Sequence, residues 1–105
     1  MSEITNLSSK LELLTDPYAK KILAGCYKRP MTAQEISWEY NIPIAATYRR
    51  LNDLEDVGLI EKANVSTGSK ATRYHTALER AILKFEDGRF SVKMKLGEKE
   101  MITEF

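Results

Sequence analysis

The chain has 105 residues, 43% of them hydrophobic and 30% charged, which suits one domain and leaves enough apolar material for a core. No apolar run approaches the roughly 18 residues of a membrane span, residues 1–6 do not read as a signal peptide, and one cysteine, Cys26, excludes a disulfide framework. The formal net charge is +1, which taken alone argues against a basic nucleic-acid binder.

Position changes that reading. Residues 17–50 carry net +4, through Lys20, Lys21, Lys28, Arg29, Arg49 and Arg50 against Glu35 and Glu39. Residues 51–61 carry net −4, and residues 62–80 carry net +3 through Lys62, Lys70, Arg73 and Arg80 against Glu79. Two basic segments flank an acidic one. The pattern fits a mixed solvated surface, or a polarised one with an anion-facing side.

Leu7, Leu11 and Leu14 are spaced i, i+4, i+7 and predict a short helix over Asn6 to Leu14. Asp16-Pro17 predicts a helix start, with Asp as N-cap and Pro at the first position. That helix should run to about Tyr27, burying Tyr18, Ile22, Leu23, Cys26 and Tyr27, with Pro30 as its stop. Thr32-Ala33-Gln34-Glu35 is a capping box opening a helix to about Tyr40 around Ile36. Asn41-Ile42-Pro43 breaks it. The next helix runs from about residue 43 to Asp56, with Ile44, Thr47 or Tyr48, Leu51 and Leu54 inward and Gly58 as its left-handed stop.

Two strands follow, Leu59–Val65 and Ala71–Thr76, joined by a loop at 66–70. Asp87-Gly88 predicts a second hairpin with a type I′ turn. Its pairs are Glu86 with Arg89, Phe85 with Phe90, Lys84 with Ser91 and Leu83 with Val92. Ala81, Leu83, Phe85, Phe90, Val92, Met94 and Leu96 then share one face. The tail 98–105 reads as a short helix or a frayed end.

Two short helices joined by a tight break and followed by a hairpin form a helix-turn-helix with a wing. The expected fold class is therefore α+β, mainly α: a winged helix-turn-helix with an additional C-terminal β-hairpin. Residues 1–105 form a single domain, with the core motif and wing at 16–76, the extra hairpin at 80–97 and the tail at 98–105.

The stretch LTDPYAKKILAGCYKRPMTAQEIS resembles the opening of arsenic-repressor-type (ArsR-like) regulators, and NIPIAATYRRLNDLEDVGLIE resembles their recognition helix, in a form seen in archaeal members. The resemblance covers roughly residues 13–76. It implies a DNA-binding transcriptional regulator, a repressor in type, acting in the cytoplasm at the nucleoid. Sensors of that family place paired cysteines on the first motif helix. Here that helix reads AQEISWEY, and one Cys with one His cannot close a zinc site. No metal and no cofactor are expected.

On a helical wheel, Ala45, Ala46 and Arg49 point away from Leu51, with Tyr48 and Arg50 flanking. The alanines allow close approach to a thymine methyl, and Arg49 reaches guanine or phosphate, with Arg50 better placed for phosphate. Tyr48 is as readily a buried ring with its hydroxyl at the rim. Asp53, Glu55 and Asp56 should leave the groove. Thr32 and Gln34 begin a helix whose N-terminus suits a phosphate. Lys70 and Arg73 suit backbone contact or minor-groove insertion by the wing. Trp38 reads as a packing residue against the hairpin or a partner subunit, Cys26 as an inert core thiol, and His75 as facing solvent or phosphate.

The expected partners are double-stranded DNA and a second copy, with no membrane. Leu7, Leu11, Leu14, Met101 and Phe105, with the C-terminal hairpin, are the expected dimer surface. The two recognition helices would enter grooves about 34 Å apart on a pseudo-palindrome. The alternative is a winged-helix protein-interaction module in a transcription or other nucleoprotein assembly, which the modest charge favours. An enzyme is not expected, since the chain has no Gly-rich phosphate loop and no Cys-His-Asp set.

Overall fold

The Asp-Pro pair sets the first long helix. In the computed structural model, which describes residues 10–63 and 71–104, a helical segment at 10–15 (α1) gives way at Asp16 to α2 (Pro17–Lys28). The Asp16 carboxylate accepts from the Ala19 amide at 2.8 Å, and Pro17 sits where no helical amide hydrogen is needed. The start of the first predicted helix, with Leu7, lies outside the described residues.

The inward stripe of α2 is Ala19, Ile22, Leu23 and Cys26. These stand at i, i+3, i+4 and i+7, whereas Tyr27 lies about 100° past Cys26. Tyr27 is therefore exposed, against the sequence expectation, and Tyr18 is half-buried. Gly25 joins the stripe for a different reason. A Cβ there would stand 2.7 Å from the ring of Tyr40, so its absence lets α2 approach the next helix.

A short strand β1 (Met31–Thr32) leads into α3 (Ala33–Tyr40). The capping box is complete: Thr32 Oγ1 accepts from Glu35 N at 3.1 Å, and Glu35 Oε1 accepts from Thr32 N at 2.8 Å. Asn41 ends α3 in the left-handed region, φ 54°. Ile42 turns into the core, and its carbonyl accepts from the Ser37 hydroxyl.

Helix α4 (Ile44–Asp56) buries Thr47, Leu51 and Leu54 completely. The Thr47 hydroxyl donates to the Pro43 carbonyl at 3.1 Å, which makes a buried polar atom tolerable. Ile44 corrects the prediction. It belongs to the inward stripe by angle, but as the first residue of α4 it borders an open groove with Tyr18 and Trp38 and is 45% exposed. Gly58, φ 80°, stops the helix.

Two antiparallel sheets complete the fold. In the first, β2 (Glu61–Lys62) and β1 flank β3 (Arg73–His75), with Met31 opposite Tyr74 and Glu61 opposite His75. Strand β2 begins two residues later than predicted, and β3 is shorter than the predicted Ala71–Thr76. Leu59 and Ile60 enter the core ahead of β2, and the Thr76 hydroxyl donates to the Leu59 carbonyl.

The second sheet has the order β4 (Leu78–Glu86), β5 (Arg89–Leu96), β6 (Lys99–Glu104). Asp87 and Gly88 both have positive φ, as a type I′ turn requires, and all four predicted pairs are present. The tail is neither helix nor frayed end. Leu96-Gly97-Glu98-Lys99 closes another two-residue hairpin, with Gly97 at φ 61° in the first loop position, and Met101 of β6 faces Met94. The alternating face is covered only in part. Val92 and Met94 are buried in the common core, while Leu83 and Phe85 at the far end are 61% and 64% exposed.

Candidate nucleic-acid interface

The outward side of α4 presents Ala45, Tyr48, Arg49 and Asn52, all exposed and spaced i, i+3, i+4, i+7. Gln34, in the first turn of α3, donates from Nε2 to Tyr48 Oη at 3.3 Å. That bond carries the surface across the helix-turn-helix break. The ring of Tyr48 lies at the rim of the interface rather than in the core, with 43% of its surface exposed. Beneath it, Tyr74 is buried, and burial raises its phenol pKa.

Arg49 makes no ion pair among the described residues. Its neighbour differs. Arg50 grips Asp16 with Nε–Oδ2 at 2.9 Å and Nη2–Oδ1 at 3.2 Å, and its guanidinium lies 5.9 Å from the centre of the Tyr18 ring. The hydrogen bond from Arg50 holds the Asp16 carboxyl below the usual carboxylate range, and the same bond raises the pKa of Arg50. Arg73 is engaged too, at 2.8 Å from the Glu35 carboxylate that completes the capping box. The amide of Thr32 bonded to that carboxylate, followed by Arg73 itself, keeps the Glu35 pKa low.

The remaining predicted contacts divide. Thr32 is buried, and its hydroxyl is used by the cap. Ala46 is half-buried against the core, so its turn of the helix faces inward more than the wheel implied. Lys70 and the predicted wing loop lie outside the described residues. Asn52 was missed, although its place three residues after Arg49 on an exposed face is a signal in itself. Asp53 and Asp56 line a 460 Å³ groove with Glu12, Asp16 and Arg50, and Glu55 lies 3.9 Å from Lys62. Asp53 and Asp56 thus lie around Arg50, and Glu55 lies toward Lys62, rather than extending the Tyr48–Arg49 surface.

Leu11 and Leu14 are partly buried against the core, and Met101 is half-buried on β6; Leu7 and Phe105 lie outside the described residues. Cys26 is buried, and burial pushes its thiol up to about 12. His75 Nε2 sits 3.1 Å from Glu61 Oε1 on the paired strand, and its side chain is still 36% exposed. Trp38 does not pack on the hairpin; it is 91% exposed, beside Tyr18, Pro43 and Ile44. Among the described residues, no three His, Cys, Asp or Glu side chains converge on a metal-sized site, and no helix is long and apolar enough to cross a membrane.

Two helices around a left-handed break, with an exposed polar stripe on the second, are what a helix-turn-helix protein presents. The helix-turn-helix domain family matches residues 14–63, from the end of α1 through β2. The chain is also 35% identical over 68 residues to an uncharacterized HTH-type transcriptional regulator of Methanocaldococcus jannaschii, a stretch that is 65% of this chain and 72% of the relative. The chain belongs to the family of helix-turn-helix transcriptional regulators.

Proposed function

We propose that the protein is a sequence-specific DNA-binding transcriptional regulator of ArsR-like winged-helix form that acts as a homodimer. The observation that carries this reading is the exposed stripe Ala45, Tyr48, Arg49 and Asn52 on α4, extended onto α3 by the Gln34–Tyr48 hydrogen bond. A helix in the major groove reads base edges with such residues. Arg49 suits guanine O6 and N7, Asn52 suits adenine N6 and N7, and Ala45 suits a thymine methyl. In this reading the loop expected at 66–70 serves as the wing, with Lys70 on the DNA backbone.

Arg50 and Arg73 play another part in this reading. Each is committed to an acid of its own chain, so they brace α4 and the sheet rather than bind phosphate. Specific contacts therefore outweigh non-specific charge. Selection of bound fragments from a random DNA pool tests the proposal. A palindromic consensus with half-sites one helical turn apart is the expected result, and no enrichment at physiological salt refutes it.

A second reading is favoured by one observation. Trp38 is 91% exposed beside an open groove at the helix-turn-helix break, as a protein-docking anchor would be. In that case the chain serves as an interaction module in a nucleoprotein assembly. Failure of the selection together with capture of a transcription component that is lost on Trp38→Ala would favour it.

A further inference from the structure

Strand β4 is an outer strand of its sheet, and Glu79 to Glu86 are all exposed. Among the described residues nothing pairs with its outer side. The type I′ turn fixes which backbone groups are free. The Glu86 carbonyl accepts from the Arg89 amide, so the backbone groups of Glu86, Lys84 and Ile82 face β5, and those of Phe85, Leu83 and Ala81 face outward. A regular edge of this length with exposed Leu83, Phe85 and Ile82 is a template for strand addition.

We infer that the occupant is the β4 strand of a second copy, paired antiparallel about a two-fold axis at Leu83. The inference rests on the homodimer reading above. The sequence itself selects the register. Any register that places opposite each other residues of unlike parity sets the apolar face of one copy against the polar face of the other. An axis at Ile82 puts Arg80 opposite Lys84 of the other copy, and an axis at Lys84 puts the two Lys84 side chains together. An axis nearer the N-terminus runs into the irregularity between Leu78 and Arg80.

With the axis at Leu83, every position from Arg80 to Glu86 is matched. The two Leu83 residues exchange backbone hydrogen bonds and stack side by side. Phe85 lies against Ala81 of the second copy, and Ile82 lies along the Lys84 stem. Arg80, which makes no ion pair among the described residues, meets Glu86, whose carboxylate already stands 3.1 Å from Lys84. Symmetry makes that ion pair twice. The product is one six-stranded sheet with an unbroken apolar face and an isologous interface.

The test is sedimentation of the full chain over a concentration series, with helicity and sheet content followed by circular dichroism. Arg80→Glu, which sets two Glu pairs face to face, is expected to raise the dimer Kd on the order of tenfold. Glu86→Arg does the same, and the double swap Arg80→Glu with Glu86→Arg restores native dimerisation. Leu83→Pro removes an outward amide without touching the ladder to β5 and yields a folded monomer. Should Leu83→Pro unfold the sheet, the charge-swap set decides. A dimer that persists unchanged through all variants overturns the β4 seam and leaves the homodimer reading intact. A chain that is monomeric throughout, bound to DNA or free, overturns both.

Discussion

Arg50 of α4 and Asp16 at the N-cap of α2 form a two-pronged ion pair, so the residue beside the most exposed arginine of the candidate interface is locked to the scaffold. Adjacent arginines thus have opposite expected phenotypes. Arg49→Ala should weaken specific DNA binding by about 1–3 kcal/mol and relax the preference for guanine at its position, with the melting transition unchanged. Arg50→Ala should instead cost about 1 kcal/mol of stability, in line with a pair whose side chains are 24% and 23% exposed, and leave the salt slope nearly intact. Denaturation curves and titrations at two salt concentrations separate them. A salt slope reduced by about 1 in Arg50→Ala would show that Arg50 leaves Asp16 to bind phosphate.

Acid should loosen the same connection. The folded pKa values of Asp16 and Glu35 lie below their unfolded values. Their contribution to stability is therefore complete above the unfolded values of about 3.9 and 4.3, and it is lost as pH falls through the lower folded values. Asp16→Asn and Glu35→Gln should each flatten the acid limb of a stability-versus-pH curve. An unaltered limb in both would show that neither carboxylate gains from folding.

Gly25 offers a test whose sign reverses. Alanine in mid-helix is favoured over glycine by up to about 1 kcal/mol. Here its Cβ would press on the Tyr40 ring at 2.7 Å and on Met31 Sδ at 3.0 Å, and overpacking costs about 1–3 kcal/mol. Gly25→Ala is expected to destabilise the native chain and to stabilise a Tyr40→Leu background. Urea midpoints measure both, and stabilisation in the native background would refute the close contact.

Trp38 is the chain's one tryptophan, and its exposure makes it a built-in probe. Its emission in the free protein should match hydrated indole and be quenched readily by acrylamide. Operator binding should change that quenching if the helix-turn-helix break lies near the DNA backbone. A blue-shifted, protected emission in free protein that disappears on dilution would instead place Trp38 between copies.

Features set by short-range rules were readable from sequence. Asp16-Pro17, the Thr32–Glu35 capping box, the left-handed Asn41 and Gly58, and the Asp87-Gly88 register each depend on a few neighbouring residues. Strand β6 was readable too, through the Gly-x loop at Gly97, but the polar tail obscured it. What escaped was long-range. Nothing near Arg50 or Arg73 in sequence announces Asp16 or Glu35 as a partner. The wheel angle placed Ile44 inward without knowing where the core ends, and Tyr27 was set inward although its angle puts it at the edge of the stripe.

The two sheets also differ in how far their strands must travel to meet. β4, β5 and β6 are successive strands joined by two-residue loops, so every contact among them is local and inexpensive in loop-closure entropy. β1 and β3 unite residues 31 and 74, across the whole helix-turn-helix segment. On folding, the C-terminal meander should therefore form on the microsecond scale of hairpins, and the Met31–Tyr74 pairing should be the slow, order-setting event.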